Sequence, residues 1–195
     1  RRVLEAQPDV DVVFGDTIIV DSEGSPVAAR REIPLRRIYV ANGFLYALSC
    51  TMFFRRRLLE AGLLVFDPKY RMAGDMDLVL RLMARGVRFA HIPSYLALFS
   101  LLDTNQCLQP RMKEETVEIR RCHGGMTYPL WRQLVQAGRY WERLWSGCYR
   151  SDEVSYAFVL DEEGRTQMVG PVRVGFRFVP RVERAMKRGT HEEPS

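Results

Sequence analysis

The sequence predicts an α/β layered domain, because apolar segments of two kinds alternate along it. The first kind is short, continuous and rich in valine, as in VDVVFGD at Val10–Asp16. The second kind spaces its apolar residues as a helix does, as in Leu78, Leu82 and Met83 before Gly86. With 195 residues, 47% of them hydrophobic, the chain is long enough to bury a sizeable core.

The first hundred residues begin with a helix end and a strand. RRVLEAQPDV resembles the last turns of a helix that stops before Pro8. Val10–Asp16 is predicted to be a strand covered on both faces of a parallel sheet, with Asp16 at its carboxyl end. Thr17–Val20 and Pro26–Arg30, separated by a DSEG turn, are predicted to form a hairpin over the sheet edge.

Three further elements are predicted in the middle of the chain. Leu48–Phe54 is an apolar run of strand length, and it leads into RRRLLEAG, a short helix closed by Gly62. The segment DMDLVLRLMARG is a second helix, closed by Gly86. Val87–Ile92 supplies another strand.

The second half changes character after Phe99, so we divide the chain into residues 1–110, a helical part at 111–150 and a β-rich part with a polar tail at 151–195. Arg111–Cys122 and Tyr128–Tyr149 are predicted helices separated by an HGG break. Ser155–Leu160 and the segments 166–169 and 172–179 alternate as strands do.

Charge and cysteine content exclude several classes of function. The 29 basic and 24 acidic residues leave a net charge of +5 that is spread thinly along the chain, which argues against a nucleic-acid partner. The four cysteines form no CxxC pair and no ligand spacing, so neither a zinc site nor a disulfide framework is expected, and a cytoplasmic location is predicted. The longest uncharged apolar stretch, Ala41–Phe54, is too short to span a bilayer.

Five segments follow one another in an order that is similar to a known family. They are VVFGD ending at Asp16, Glu23-Gly24, TMFFRR at Thr51–Arg56, LVFD at Leu64–Asp67, and GDMDLVLRLMARG at Gly74–Gly86. Over roughly Arg1–Leu102 the chain thereby resembles the C-terminal half of the catalytic domain of glycosyltransferase family 2, which are inverting, nucleotide-sugar-dependent enzymes. The resemblance implies a partial GT-A fold, with residues 1–110 as its acceptor-side half.

Asp75 is the catalytic residue that the resemblance implies. It matches the acidic position that acts as general base on the acceptor hydroxyl in the family. Displacement at an anomeric carbon needs such a base within about 3 Å of the attacking oxygen, and a carboxylate at a helix start is rigidly placed. The other interpretation of Asp75 is a helix N-cap.

Asp16, Thr51 and Asp77 are the candidate substrate-binding residues. Asp16 would lie at the sheet edge where open α/β folds bind ligands, or else form a turn. Thr51 would be a buried strand residue facing the acceptor pocket. Asp77 is spaced for an i,i+4 pair with Arg81, which favours a structural role, although it would also be near an acceptor. Asp67 is expected to fix its loop through a local hydrogen bond.

The donor side of such an enzyme is expected to lie outside this chain. The acidic DXD motif that holds a divalent cation, Mg²⁺ or Mn²⁺, and the diphosphate in the family would precede Arg1. The histidine found after the last core strand in some members aligns near Leu102, where this chain has none. The expected partners are a nucleotide-sugar donor and a glycan or lipid-linked acceptor, and no metal ligand is assigned within the chain.

Two alternatives remain open at this point. The helix at 128–149 carries three tryptophans among arginines, and it either packs against the core or lies at the inner surface of a membrane. The chain as a whole is either part of an enzyme or a noncatalytic transferase-like domain that serves as an interaction module.

Overall fold

A strand buried along its whole length, β1 (Val12–Val20), is the centre of the main sheet. The structure is a computed structural model that describes residues 2–21, 23–100, 110–159 and 166–176. The other strands are β2 (Pro26–Arg30), β3 (Phe53–Phe54), β4 (Phe89–Ser100), β5 (Asp152–Val159) and β6 (Thr166–Val174). The helices are α1 (Arg2–Ala6), α2 (Arg37–Asn42), α3 (Arg56–Glu60), α4 (Gly74–Ala84), α5 (Pro110–Cys122) and α6 (Pro129–Trp145).

The main sheet is mixed and has four strands. β4 runs parallel to β1 from Val12 to Val20, while β2 and β3 pair antiparallel with β1. Parallel pairing of β1 with β4 through intervening helices is the α/β arrangement that the sequence predicts. β5 and β6 form a separate antiparallel pair.

The predicted end of the first strand at Asp16 is wrong. β1 continues for four more residues, because Ile18, Ile19 and Val20 are buried and pair with both β2 and β4. Asp16 therefore lies in the middle of a strand and not at the edge of the sheet. The register between β1 and β4 shifts on both sides of Asp16, which is the mark of a β-bulge.

The predicted strand at Leu48–Phe54 is also wrong. Ser49–Thr51 forms a 3₁₀ turn, and only Phe53–Phe54 pairs as a strand. The Thr51 hydroxyl donates to the Leu48 carbonyl over 2.8 Å, and the Thr51 amide bonds to the same oxygen. A threonine that bonds to the backbone three residues earlier competes with strand pairing, so the apolar run folds into a turn.

The core is built around α4, which is buried on nearly every side. Met76 and Leu80 pack with residues of α2 and α5, including Val40 and Ile119. Val79 packs with Phe14 of β1 in a second cluster. α4 thus joins the sheet to the other helices, and this holds its first turn in a fixed position.

The β5–β6 pair packs on the main sheet. Val154 and Val174 share a buried cluster with Ile18, Val20 and Ala29. The predicted segments at 177–179 and at Leu160, the polar tail and Leu102 lie outside the described residues.

α6 packs on α2, although not through its tryptophans. Trp131, Trp141 and Trp145 are 57%, 58% and 89% exposed. The tryptophan side chains therefore do not pack against the core, but α6 itself packs on the protein through other residues, including the buried Arg143, as one of the two interpretations of this helix expects. No helix among the described residues combines the length and the apolar character that crossing a membrane requires.

Candidate functional site

The start of α4 is held in place by a carboxylate from α5. Glu115 is buried and accepts hydrogen bonds from the amides of Arg71, Met72 and Ala73, over 3.2, 2.8 and 3.0 Å. Burial opposes its charge, but these amides and the Arg111 guanidinium outweigh burial and lower the pKa of Glu115 to about 2. The loop that delivers Asp75 is thus tied to a neighbouring helix.

Asp75 lies in the first turn of α4 and is partly buried. Its Oδ1 accepts a hydrogen bond from the Met76 amide over 2.8 Å. Ala73, and not Asp75, holds the N-cap position, but Asp75 still accepts a hydrogen bond from an amide of the first turn, as the capping interpretation expects. An acidic side chain in the first turn is still favoured by the helix dipole.

The surroundings of Asp75 make its carboxylate more basic than that of an aspartate in water. Burial raises its pKa above the ordinary value, although hydrogen bonds from the Met76 amide, its own amide and the Ser49 hydroxyl act in the other direction. Ser49 is exposed, so solvent reaches the residue that contacts the carboxylate. Asp75 is therefore a partly buried carboxylate with a raised proton affinity beside an exposed serine.

Asp77 has a contrasting environment two residues further on. It is buried, its Oδ1 is 2.8 Å from His123 Nε2, and its Oδ2 accepts a hydrogen bond from Arg81 Nε over 2.7 Å. Arg81 also donates to the Val65 carbonyl over 2.6 Å. The i,i+4 pair expected from the sequence is therefore present, and both carboxylate oxygens of Asp77 are occupied.

Asp16 is likewise buried in a local pair. It accepts a hydrogen bond from the Glu32 amide over 2.9 Å, and the same oxygen is 2.8 Å from His91 Nε2. Phe14 lies against the His91 ring, with ring centroids 5.2 Å apart. Asp16 thus joins three segments of chain around the bulge of β1.

The structure brings only part of the predicted set together. Thr51 is fully buried, and its hydroxyl is used within the 3₁₀ turn whose first residue, Ser49, bonds to Asp75. Asp16 and Asp77 are each held by a different histidine. Ser49 and His123 were not predicted as site residues. Ser49 lies two positions before the TMFFRR segment that begins at Thr51, whereas no motif lies near His123.

Asp67 and two arginines at the start of α3 have structural roles. Asp67 accepts a hydrogen bond from the Lys69 amide over 2.9 Å, as expected for a loop-fixing residue. Arg55 donates to the Gln7 carbonyl over 2.9 Å, and Arg57 donates to the Pro8 carbonyl over 3.1 Å. These two arginines attach α3 to the segment that precedes β1.

The described residues do not fit a divalent cation. No group of three or more histidine, cysteine, aspartate or glutamate side chains comes together there in an arrangement that could hold a metal ion. The carboxylates of Asp16 and Asp77 already have histidine, amide or guanidinium partners. No chemical step is therefore assigned to a metal within this part of the chain.

Two cavities lie away from Asp75. One of about 530 Å³ is lined by β4 and β5, including Tyr95 and Tyr156. The other, of about 380 Å³, is lined by residues that include Phe44, Arg139 and Phe176. Asp75 lines neither of these two cavities.

Comparison of the chain with protein-family models, with curated proteins and with solved structures found no match in any of the three.

Proposed function

We propose that this chain is the acceptor-side part of an inverting glycosyltransferase of the GT-A class, in which Asp75 is the general base. The observation that carries the proposal is the contrast between the two carboxylates of α4. Asp77 forms an ion pair with Arg81 and lies 2.8 Å from His123 Nε2, whereas Asp75 lacks a cationic partner among the described residues and has a raised pKa. The order of sequence motifs that resembles glycosyltransferase family 2 supports the same assignment.

In the proposed reaction Asp75 accepts the proton of an acceptor hydroxyl. The hydroxyl oxygen forms a bond to the anomeric carbon of the donor sugar while the bond from that carbon to the nucleotide phosphate breaks. The phosphate leaves with the electron pair, and the configuration at the carbon inverts. A carboxylate whose charge is partly desolvated is a stronger base than one in water, so burial of Asp75 favours this step.

The other candidate residues support Asp75 in this proposal. The Thr51 hydroxyl closes the turn that presents Ser49 to Asp75. Asp77 links α4 to His123, at the end of α5, and Asp16 links β1 to β4. These three residues are assigned to positioning the base and the acceptor cleft.

The donor and its cation are assigned to other parts of the protein. A nucleotide-sugar donor carries a diphosphate, and Mg²⁺ or Mn²⁺ would offset the charge on that leaving group. The described residues offer no ligand set for such an ion. A glycan or a lipid-linked alcohol is the proposed acceptor class.

The test is replacement of Asp75 by Asn in the full-length protein, assayed against a panel of nucleotide sugars and acceptors. We expect sugar transfer to fall by about 10²- to 10⁴-fold, with binding of the nucleotide sugar retained. Asp67→Asn, another aspartate that accepts a backbone amide, is the matched control and should keep its activity. Undiminished transfer by the Asp75 variant would refute the assignment.

The second candidate is a noncatalytic interaction module. It is favoured by the occupied carboxylates of Asp16 and Asp77, which leave Asp75 as the one candidate carboxylate of the three without a histidine partner. A full-length protein that binds none of the nucleotide sugars in the same panel would support the module and count against the enzyme.

A further inference from the structure

The cavity of about 380 Å³, called here the α6 cavity, is lined by residues of α6 and β2 and by aromatic side chains from other segments. Ala28 and Ala29 line it from β2, and both are buried. Phe44 and Phe176 supply aromatic walls. Ligand sites in proteins have volumes of about 300–1,000 Å³ and mostly apolar walls with a few polar groups. The α6 cavity therefore has the size and the walls of a small-molecule site.

Three arginines line the α6 cavity together with these apolar walls. Arg139 and Arg143 belong to α6, and Arg30 is the last residue of β2. Residues four positions apart on a helix share a face, so the two arginines of α6 reach the cavity from the same side. Positive charge is thereby concentrated in a space whose other walls are largely apolar.

One buried carboxylate, that of Glu32, compensates part of this charge. Its Oε1 accepts a hydrogen bond from Arg30 Nε over 2.7 Å, and its Oε2 pairs with Arg143. Each oxygen of Glu32 thus holds a different arginine. Three positive charges against one negative charge leave two positive charges at the cavity without a carboxylate partner among the described residues.

Arg139 is the arginine that Glu32 does not hold. Its guanidinium lies over the rings of Phe44 and Tyr46, 4.7 and 4.4 Å from their centroids. Its Nε is buried and has no hydrogen-bond partner among the described residues. Burial lowers the pKa of Arg139 below its ordinary value, as for a cation that loses water without gaining a full counter-charge. A bound anion would offset that loss of hydration.

The charge and the walls of the α6 cavity select the chemical class of a ligand. Guanidinium groups bind phosphate through paired N–H donors, and a phosphate dianion matches the two uncompensated positive charges. The aromatic walls favour contact with a flat apolar group. An inorganic anion would leave these walls uncovered, whereas a neutral aromatic molecule would leave Arg139 without a counter-charge.

We propose that the α6 cavity binds a small organic phosphate, whose phosphate group pairs with Arg139 and whose ring-containing part contacts the aromatic walls. Glu32 holds Arg30 and Arg143 in place, and their charges add to the attraction for the phosphate. This inference does not use Asp75, which does not line the cavity, and is independent of the proposed glycosyltransferase function.

The experiment is isothermal titration calorimetry of the chain of residues 1–195 with 1-naphthyl phosphate, inorganic phosphate and 1-naphthol. We expect 1-naphthyl phosphate to bind at least about 10-fold more tightly than the other two probes, with an affinity that falls as salt is added. Arg139→Gln should weaken its binding by about 10- to 100-fold. Arg132→Gln is the matched control and should bind as the unsubstituted chain does. Arg132 also lies on α6 and has a buried Nε without a hydrogen-bond partner among the described residues, but it does not line the cavity.

Circular dichroism of the variants separates loss of binding from loss of fold. Arg139→Lys keeps the charge and should bind 1-naphthyl phosphate more tightly than Arg139→Gln does. If Arg139→Gln does not fold, the three probes on the unsubstituted chain remain the test. Absence of 1-naphthyl phosphate binding to the folded chain would overturn the proposal, as would equal weakening by Arg132→Gln. Equal affinity for 1-naphthol or for inorganic phosphate would also overturn it, because the cavity would then not recognise both parts of the ligand.

Discussion

At the scale of single residues, Asp75 and Asp77 show how two carboxylates on one helix turn acquire different properties. Asp77 has a histidine and an arginine within hydrogen-bonding distance, and its charge is compensated where it is buried. Among the described residues, the side-chain partners of Asp75 are two backbone amides and one hydroxyl, with no cation, and burial raises its pKa. The helix geometry is shared, and the difference comes from Arg81, one turn further along α4, and from His123, 46 residues away in the sequence.

The same conservative substitution at the two positions should therefore have opposite effects on stability. We expect Asp77→Asn to lower the free energy of unfolding at pH 7 by about 1.5–3 kcal/mol, because charge-assisted hydrogen bonds are lost. We expect Asp75→Asn to be neutral or stabilising, because the ionised form of a carboxylate with a raised pKa is disfavoured in the folded state. Urea unfolding of the two variants measures both values.

The effect of Asp75 on stability should also depend on pH. Since its folded-state pKa is raised, its destabilising effect is present above that pKa and is lost as the pH falls through it. The advantage of Asp75→Asn over the unsubstituted chain should shrink as the solution is acidified. A loss of stability at pH 7 comparable to that of Asp77→Asn would show that Asp75 is a structural residue.

At the scale of elements, the position of Asp75 depends on Glu115 of α5, which binds three consecutive amides before α4. Glu115→Gln should lower the free energy of unfolding at pH 7 by about 1–3 kcal/mol, since a neutral amide accepts these bonds less strongly. Glu114→Gln, at an exposed position on the same helix, is the control and should change it by less than about 0.5 kcal/mol.

The effect of Glu115 should vanish in acid. Its pKa is lowered from an ordinary 4.5 to about 2, so the stabilisation is complete above the ordinary value and is lost as the pH falls towards 2. Urea unfolding of the unsubstituted chain and of Glu115→Gln at a series of pH values should therefore give curves that converge in acid. A difference that persists unchanged below the lowered pKa would exclude the charge of Glu115 as its source.

The elements that the sequence predicts are those whose signals are local. α3 and α4 were predicted because apolar spacing ends at Gly62 and Gly86, both of which adopt positive φ. The turn at Ser49–Thr51 was missed because the surrounding apolar run is typical of a strand. The Thr51 hydroxyl, which donates to the Leu48 carbonyl, favours the turn instead. The partner of Asp77 was missed because His123 is 46 residues away, and no local pattern encodes that contact.

At the scale of the whole molecule, the β5–β6 pair is attached to the main sheet by both apolar and polar contacts. Asp152 of β5 accepts a hydrogen bond from the Tyr95 hydroxyl over 2.7 Å and also pairs with Arg31. The Tyr156 hydroxyl donates to the Gly24 carbonyl over 2.7 Å. Residues near both ends of the described chain therefore belong to one packed structure.

This attachment predicts that the two sheets lose their structure together. Val154 is 4% exposed in the cluster shared with Ile18 and Val20, and Val154→Asp places an unpaired charge there at a cost of about 3 kcal/mol or more. Hydrogen exchange of the amides of β1 and β5 should accelerate in parallel, because both open by the same cooperative event. Val159→Asp, on the same strand but 57% exposed, should leave exchange in β1 unchanged. If Val154→Asp accelerates exchange in β5 alone, the β5–β6 pair opens as an independent unit, and its contacts with β1 do not couple the two sheets.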